Sequence, residues 1–161
     1  MLSLVCLTVL TACARHGQDE VEKLLSRWFS LGDPVFFYST RGCTAAVFET
    51  RSTSIKSALR LESEINRALF TLERTGTMAV KVDGVSPDQV FITVMNAKRS
   101  IGVYVQQAAI EGRDCMDEET EGAFHAALSN PRALFVWHPA EGALVLMDND
   151  QGLIFFASGG G

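Results

Sequence analysis

The sequence predicts an α+β domain: about five helices packed on a largely antiparallel sheet, with a C-terminal three-strand meander. Three observations predict it. Residues 54–75 place Ile55, Ala58, Leu59, Ile65, Ala68, Leu69 and Leu72 at helical spacing, and Gly76 stands where a helix stop belongs. Residues 133–137, 143–147 and 153–157 read as strands, separated by turn-forming segments at 138–142 and 148–152. The composition, 47% hydrophobic and 20% charged over 161 residues, belongs to a globular chain and not a disordered one. A chain of this length makes one domain and buries about 70% of its unfolded surface.

The remaining elements follow in order. From Val21 a helical stripe runs through Leu24, Leu25, Trp28 and Phe29, with Gly32 as its stop and Asp33-Pro34 as a break. Val35-Phe36-Phe37-Tyr38 and Thr44-Ala45-Ala46-Val47-Phe48 read as strands around a turn containing Gly42. Residues 78–82 form a short strand. Ser86-Pro87-Asp88-Gln89 is a helix start, because Ser caps, Pro tolerates the first position and Gln reaches back. Val90, Phe91, Val94 and Met95 are the buried stripe behind it. Residues 101–110 fit a helix through Ile101, Tyr104, Val105 and Ala108, although Val103-Tyr104-Val105 has strand propensity; the helix is preferred. Asp117 caps a helix running to Leu128, which Asn130-Pro131 ends. The last three strands are apolar almost throughout. Either both faces of the sheet are covered, or one face is kept for a partner.

Ahead of this body lies an uncharged apolar run holding Leu2, Leu4, Val5, Leu7, Val9 and Leu10. It is too short to span a bilayer and has the length of a secretory h-region. Its ending, Leu10-Thr11-Ala12-Cys13, resembles the lipobox of bacterial lipoproteins, and the resemblance covers the signal alone. It implies cleavage before Cys13 and acylation of that cysteine. Ala14, in place of an Asp after the cysteine, points by the same resemblance to the outer membrane. The run departs from a usual signal in having no Lys or Arg before Cys13. The same letters also form an A-x-A site, Ala12-Cys13-Ala14, at which ordinary signal peptidase would release a soluble protein beginning at Arg15. The expected organisation is a signal at 1–12, a lipidated Cys13 with a polar tether at 13–20, a globular domain at 21–158 and a glycine tail at 159–161. No family resemblance reaches beyond residue 13.

Export has a second sign. Cys43 and Cys115 are the two cysteines of the body, and in an oxidising compartment such a pair reads as one disulfide. Two separate buried thiols are the alternative.

Chemistry-bearing motifs are scarce. The formal charge of −5 opposes nucleic acid and anionic membrane surfaces as partners, since both need basic patches. His16 falls in the tether, and His125 and His138 have no nucleophile elbow to serve. Cys43 as a thiol nucleophile conflicts with the disulfide. Asp148-Asn149-Asp150-Gln151-Gly152 lacks the ligand order of a calcium loop, and Asp114, Asp117, Glu118, Glu119 and Glu121 read as a helix first turn. No zinc spacing and no phosphate loop occur, so neither metal nor cofactor is expected. The one candidate binding segment is Ser39, Thr40 and Arg41, hydroxyls and a guanidinium beside Cys43. The expectation is a non-catalytic, lipid-anchored envelope protein on the periplasmic side, held to the membrane through Cys13 and binding a protein partner. The alternative is a small soluble periplasmic hydrolase or ligand-binding protein.

Overall fold

A computed structural model describes residues 14–160; Cys13 and the signal lie outside them. The element order is α1 (Gln18–Ser26), β1 (Leu31–Ser39), β2 (Cys43–Thr50), β3 (Leu61–Glu62), α2 (Ile65–Thr75), β4 (Met78–Val80), α3 (Pro87–Ala97), α4 (Arg99–Arg113), α5 (Glu118–Ser129), β5 (Leu134–His138), β6 (Ala143–Asp148) and β7 (Leu153–Gly159). The seven strands form one sheet in the order β1-β2-β7-β6-β5-β4-β3. Only the β3–β4 pair is parallel. The α+β class, the five helices and the C-terminal meander of β5, β6 and β7 are all present.

The uniformly apolar strands are explained by a sheet covered on both faces. Along β7, Phe155 and Ala157 point to the core under α2–α5, while Ile154 and Phe156 point to the core under α1. β6 alternates in the same way, with Leu144 and Leu146 against Ala143, Val145 and Met147. Among the described residues, β6 and β7 therefore have both faces covered, while Val35 and Tyr38 of the edge strand β1 stand exposed.

Two segments differ from the sequence reading. The helix expected over 54–75 exists only as Ile65–Thr75. Its apolar positions belong to two different cores: Ala68, Leu69 and Leu72 face the α2–α5 side, whereas Ile55 and Leu59 pack under α1. A single straight helix cannot reach both sides of a sheet, so the chain turns at 57–59, where the Leu59 N–H donates to the Lys56 carbonyl (3.0 Å), and crosses at β3. The backbone N–H of Lys56 donates to the Trp28 carbonyl (2.8 Å), fixing this crossing segment beside α1.

The first helix ends at Ser26, and Gly32, Asp33 and Pro34 lie inside β1 rather than after a helix. β1 is the outermost strand, where a missing N–H costs no ladder bond. Trp28 and Phe29 are buried in the turn that joins α1 to β1.

α4 approaches the sheet without a spacer. A Cβ at Gly112 would stand 2.8 Å from the Ala157 Cβ, so only glycine lets this helix lie directly on β7. That close approach brings Cys115, just beyond α4, to Cys43 at the start of β2. The two are disulfide-bonded, with Cα atoms 5.8 Å apart. The bond closes a span of 72 residues, for which loop entropy gives roughly 4 kcal/mol as an upper figure.

Candidate functional site

Strand register assembles a polar row at one end of the sheet. Ser39 of β1 pairs with Thr44 of β2, Thr44 pairs with Ser158 of β7, and Ser158 pairs with Ala143 of β6. Thr44 and Ser158 lie one pleat beyond Ala46 and Phe156, hence on the α1 face. Both are fully buried. Buried hydroxyls need partners, and the chain ahead of α1 supplies them.

That segment, Arg15 and His16, is docked and not a tether. The Arg15 backbone N–H donates to the Thr40 carbonyl (2.9 Å). Its guanidinium donates to Ser158 Oγ (3.0 Å), the Gly160 carbonyl (2.9 Å) and, at 3.5 Å, the Glu141 carbonyl. His16 is buried edge-on against the Phe156 ring. Its Nδ1 lies 2.9 Å from Thr44 Oγ1, and its Nε2 lies 3.1 Å from Glu141 Oε2. Glu141 is presented by the 3-10 turn Pro139–Glu141 between β5 and β6.

One proton arrangement satisfies every contact. The His16 backbone N–H donates to Ser39 Oγ (3.3 Å), Ser39 donates to Thr44 (2.7 Å), and Thr44 donates to the ring Nδ1. Nε2–H then donates to the Glu141 carboxylate. The opposite tautomer would set a nitrogen lone pair against a carboxylate. Burial lowers the His16 pKa below its ordinary value, against the opposing pull of Glu141, so the ring is held neutral.

The glycine tail expected at 159–161 is also bound where it is described. Gly159 ends β7, and the Gly160 N–H donates to Glu111 Oε2 (2.6 Å). Gly142 has φ +55°, and a Cβ there would lie 3.1 Å from Arg15 Nη2, so glycine is needed both for the turn and for the arginine lying over it.

The segment singled out from sequence divides. Ser39 joins the His16 network. Thr40 closes the hairpin, its Oγ1 accepting from the Gly42 and Cys43 backbone N–H groups (3.1 and 3.2 Å). Arg41 stands exposed at the hairpin tip, apart from both. His138 Nδ1 bonds Thr77 Oγ1 (2.8 Å) and the ring packs edge-on to Trp28; His125 sits exposed near Arg113 and Glu121. Neither histidine meets Ser39 or Cys43. The Asp148–Asp150 turn is used internally, by Asn130, Gln151 and an Arg132–Asp150 ion pair. Among the described residues no cluster of three His, Cys, Asp or Glu side chains is arranged to hold a metal ion.

The sequence signal for this site was Glu20. As the third residue of α1 it reaches back to the Gly17 N–H (2.8 Å), which starts the helix at Gln18, directly after the docked pair and Gly17. No known protein family, curated protein or solved structure matches the chain. Among the described residues no helix is long and apolar enough to cross a membrane.

Proposed function

We propose that this chain is an exported, lipid-anchored envelope protein whose domain binds a protein partner and does no chemistry of its own. The observation that carries the reading is the Cys43–Cys115 bond, since disulfides persist in oxidising compartments and the apolar leader with its Leu10–Cys13 ending supplies a route there. Exposed Phe70, Ile92, Val103 and Ile110 on the helical layer offer apolar contacts to a protein partner.

The rival is a soluble periplasmic hydrolase, favoured by one observation: His16 and Glu141 line a cleft of about 440 Å³ with α1. A nucleophile, however, must face substrate. The hydroxyls bonded to His16 lie on the sheet side of the ring, and Thr44 has no exposed surface.

Mass spectrometry of the mature N-terminus from membrane fractions separates the two. An acylated Cys13, lost together with membrane association in Cys13→Ala, is the expected result. A mature chain beginning at Arg15 in the soluble periplasmic fraction would overturn lipid anchoring.

A further inference from the structure

The end of the sheet under Arg15 carries a second cavity. A cleft of about 250 Å³ opens between α4 and the β5–β6 turn, with Ile101, Tyr104 and Ala108 on the helix side. Trp137 forms its floor, and Arg15 and Gly142 form its rim. Its walls are apolar, and its size is near the lower end of small-molecule pockets. Arg15, Gln107 and the Tyr104 hydroxyl are its main polar side-chain groups. The Arg15 guanidinium donates to a hydroxyl and two backbone carbonyls at this end of the sheet. The apolar walls favour an apolar occupant that can accept hydrogen bonds from the few polar groups beside it.

The second observation is where the chain enters. Cys13 precedes Arg15 by two residues, and two extended residues span at most about 7 Å. Arg15 is pinned at the cleft rim by its backbone bond to Thr40 and three guanidinium bonds. A lipid on Cys13 would therefore be attached within about 7 Å of the Arg15 backbone, whose residue lines the cleft, and its ester carbonyls could accept from the Arg15 and Gln107 donors.

We infer that the cleft holds one acyl chain of the lipid borne by Cys13, so that the anchor is partly sheathed by its own domain. This rests on the lipidation proposed above. The domain then sits directly at the bilayer, with the 40–42 hairpin tip and the 139–142 turn facing lipid, and not at the end of a tether.

The test feeds cells a diazirine–alkyne fatty acid that enters lipoprotein acyl groups, followed by irradiation of intact membranes and tryptic mapping of the full chain. The expected product joins the acylated 13–15 peptide to the 100–113 peptide of α4. Tyr104→Asp, at an exposed position on the cleft mouth, sets a charge against the acyl chain and reduces that product roughly tenfold. A label on Cys13 that crosslinks only to membrane lipid overturns the inference and leaves lipidation standing. A 100–113 adduct lacking the 13–15 peptide means that a different lipid fills the cleft, and also overturns it. A Cys13 with no label overturns lipidation itself and the inference with it.

Discussion

His16 shows how one residue changes meaning between sequence and structure. Read along the chain, Ala-Arg-His-Gly-Gln-Asp-Glu is short and polar, which is the composition of a linker. Its burial is caused by partners that no local window contains: Thr44 lies 28 positions away and Glu141 lies 125. Ser39 was legible as a polar position of interest, but its role came from strand register, which sequence pattern alone leaves open. The neutral state of His16 has a consequence for stability. Its folded pKa lies below the ordinary value of 6.5, so as pH falls the unfolded chain takes up the proton first. Stability is complete above about 6.5 and is lost as pH drops from there toward the lower folded value. Charged groups near the ring are Glu141 and Glu20, which oppose the shift, and Arg15, which assists burial in producing it. His138, also lowered by burial, contributes with the same sign. Urea unfolding at pH 7.5 and 5 should therefore give a smaller free energy at pH 5. His16→Ala should flatten that difference, and at pH 7.5 it should cost about 1–3 kcal/mol through the acceptor taken from buried Thr44. An unchanged pH slope in the variant would show that folding does not lower the His16 pKa.

At the scale of elements, the readable parts were those whose apolar residues serve one core. α3 and α5 begin where their caps are written: Gln89 reaches back to the Ser86 N–H, and Asp117 accepts from the Thr120 N–H. The three C-terminal strands were legible because turn residues bracket them, and their two-sided apolar character was the correct sign of a covered sheet. Residues 54–75 misled because two segments with opposite loyalties share a phase. Ile55 and Leu59 are four apart, as on a helix, yet they fill the α1 side while Leu69 and Leu72 fill the other. Hydrophobic spacing records burial and carries no label for which face is buried. The same limit hid Gly112, which lies just beyond the 101–110 stretch read as helical and next to the last residue of α4. Its value is that α4 can touch β7, which aligns Cys115 with Cys43 and sets one wall of the Arg15 cleft. Gly112→Ala would normally favour a helix by up to about 1 kcal/mol. Here the added methyl meets the Ala157 Cβ at 2.8 Å and the β7 backbone just behind it. The net effect should be destabilising by about 1–3 kcal/mol in urea titration. A neutral or stabilised variant would mean that α4 stands farther from the sheet.

For the whole molecule, the decisive property is that one sheet serves as a wall of two cores. Phe155 and Phe156 are adjacent, both fully buried, and face opposite layers. Loss of either layer therefore exposes the strands on which the other is built, and the disulfide ties β2 to the helical layer across the sheet end. This architecture predicts a single cooperative unfolding unit, even though the α1 layer consists of one short helix and the 51–60 segment. The chain contains its own reporters for the two layers. Its two tryptophans are split between them, Trp28 in the α1-side core and Trp137 in the core under α2–α5. Trp28→Phe leaves Trp137 as the sole indole, and Trp137→Phe leaves Trp28. Each swap keeps an aromatic ring in place and should cost under about 1.5 kcal/mol. Within each variant, the fluorescence and far-ultraviolet circular dichroism transitions in urea should coincide. A Trp28 signal lost at lower urea than the circular dichroism would make the α1 layer an independently opening unit. That opening would release Arg15 and His16 first.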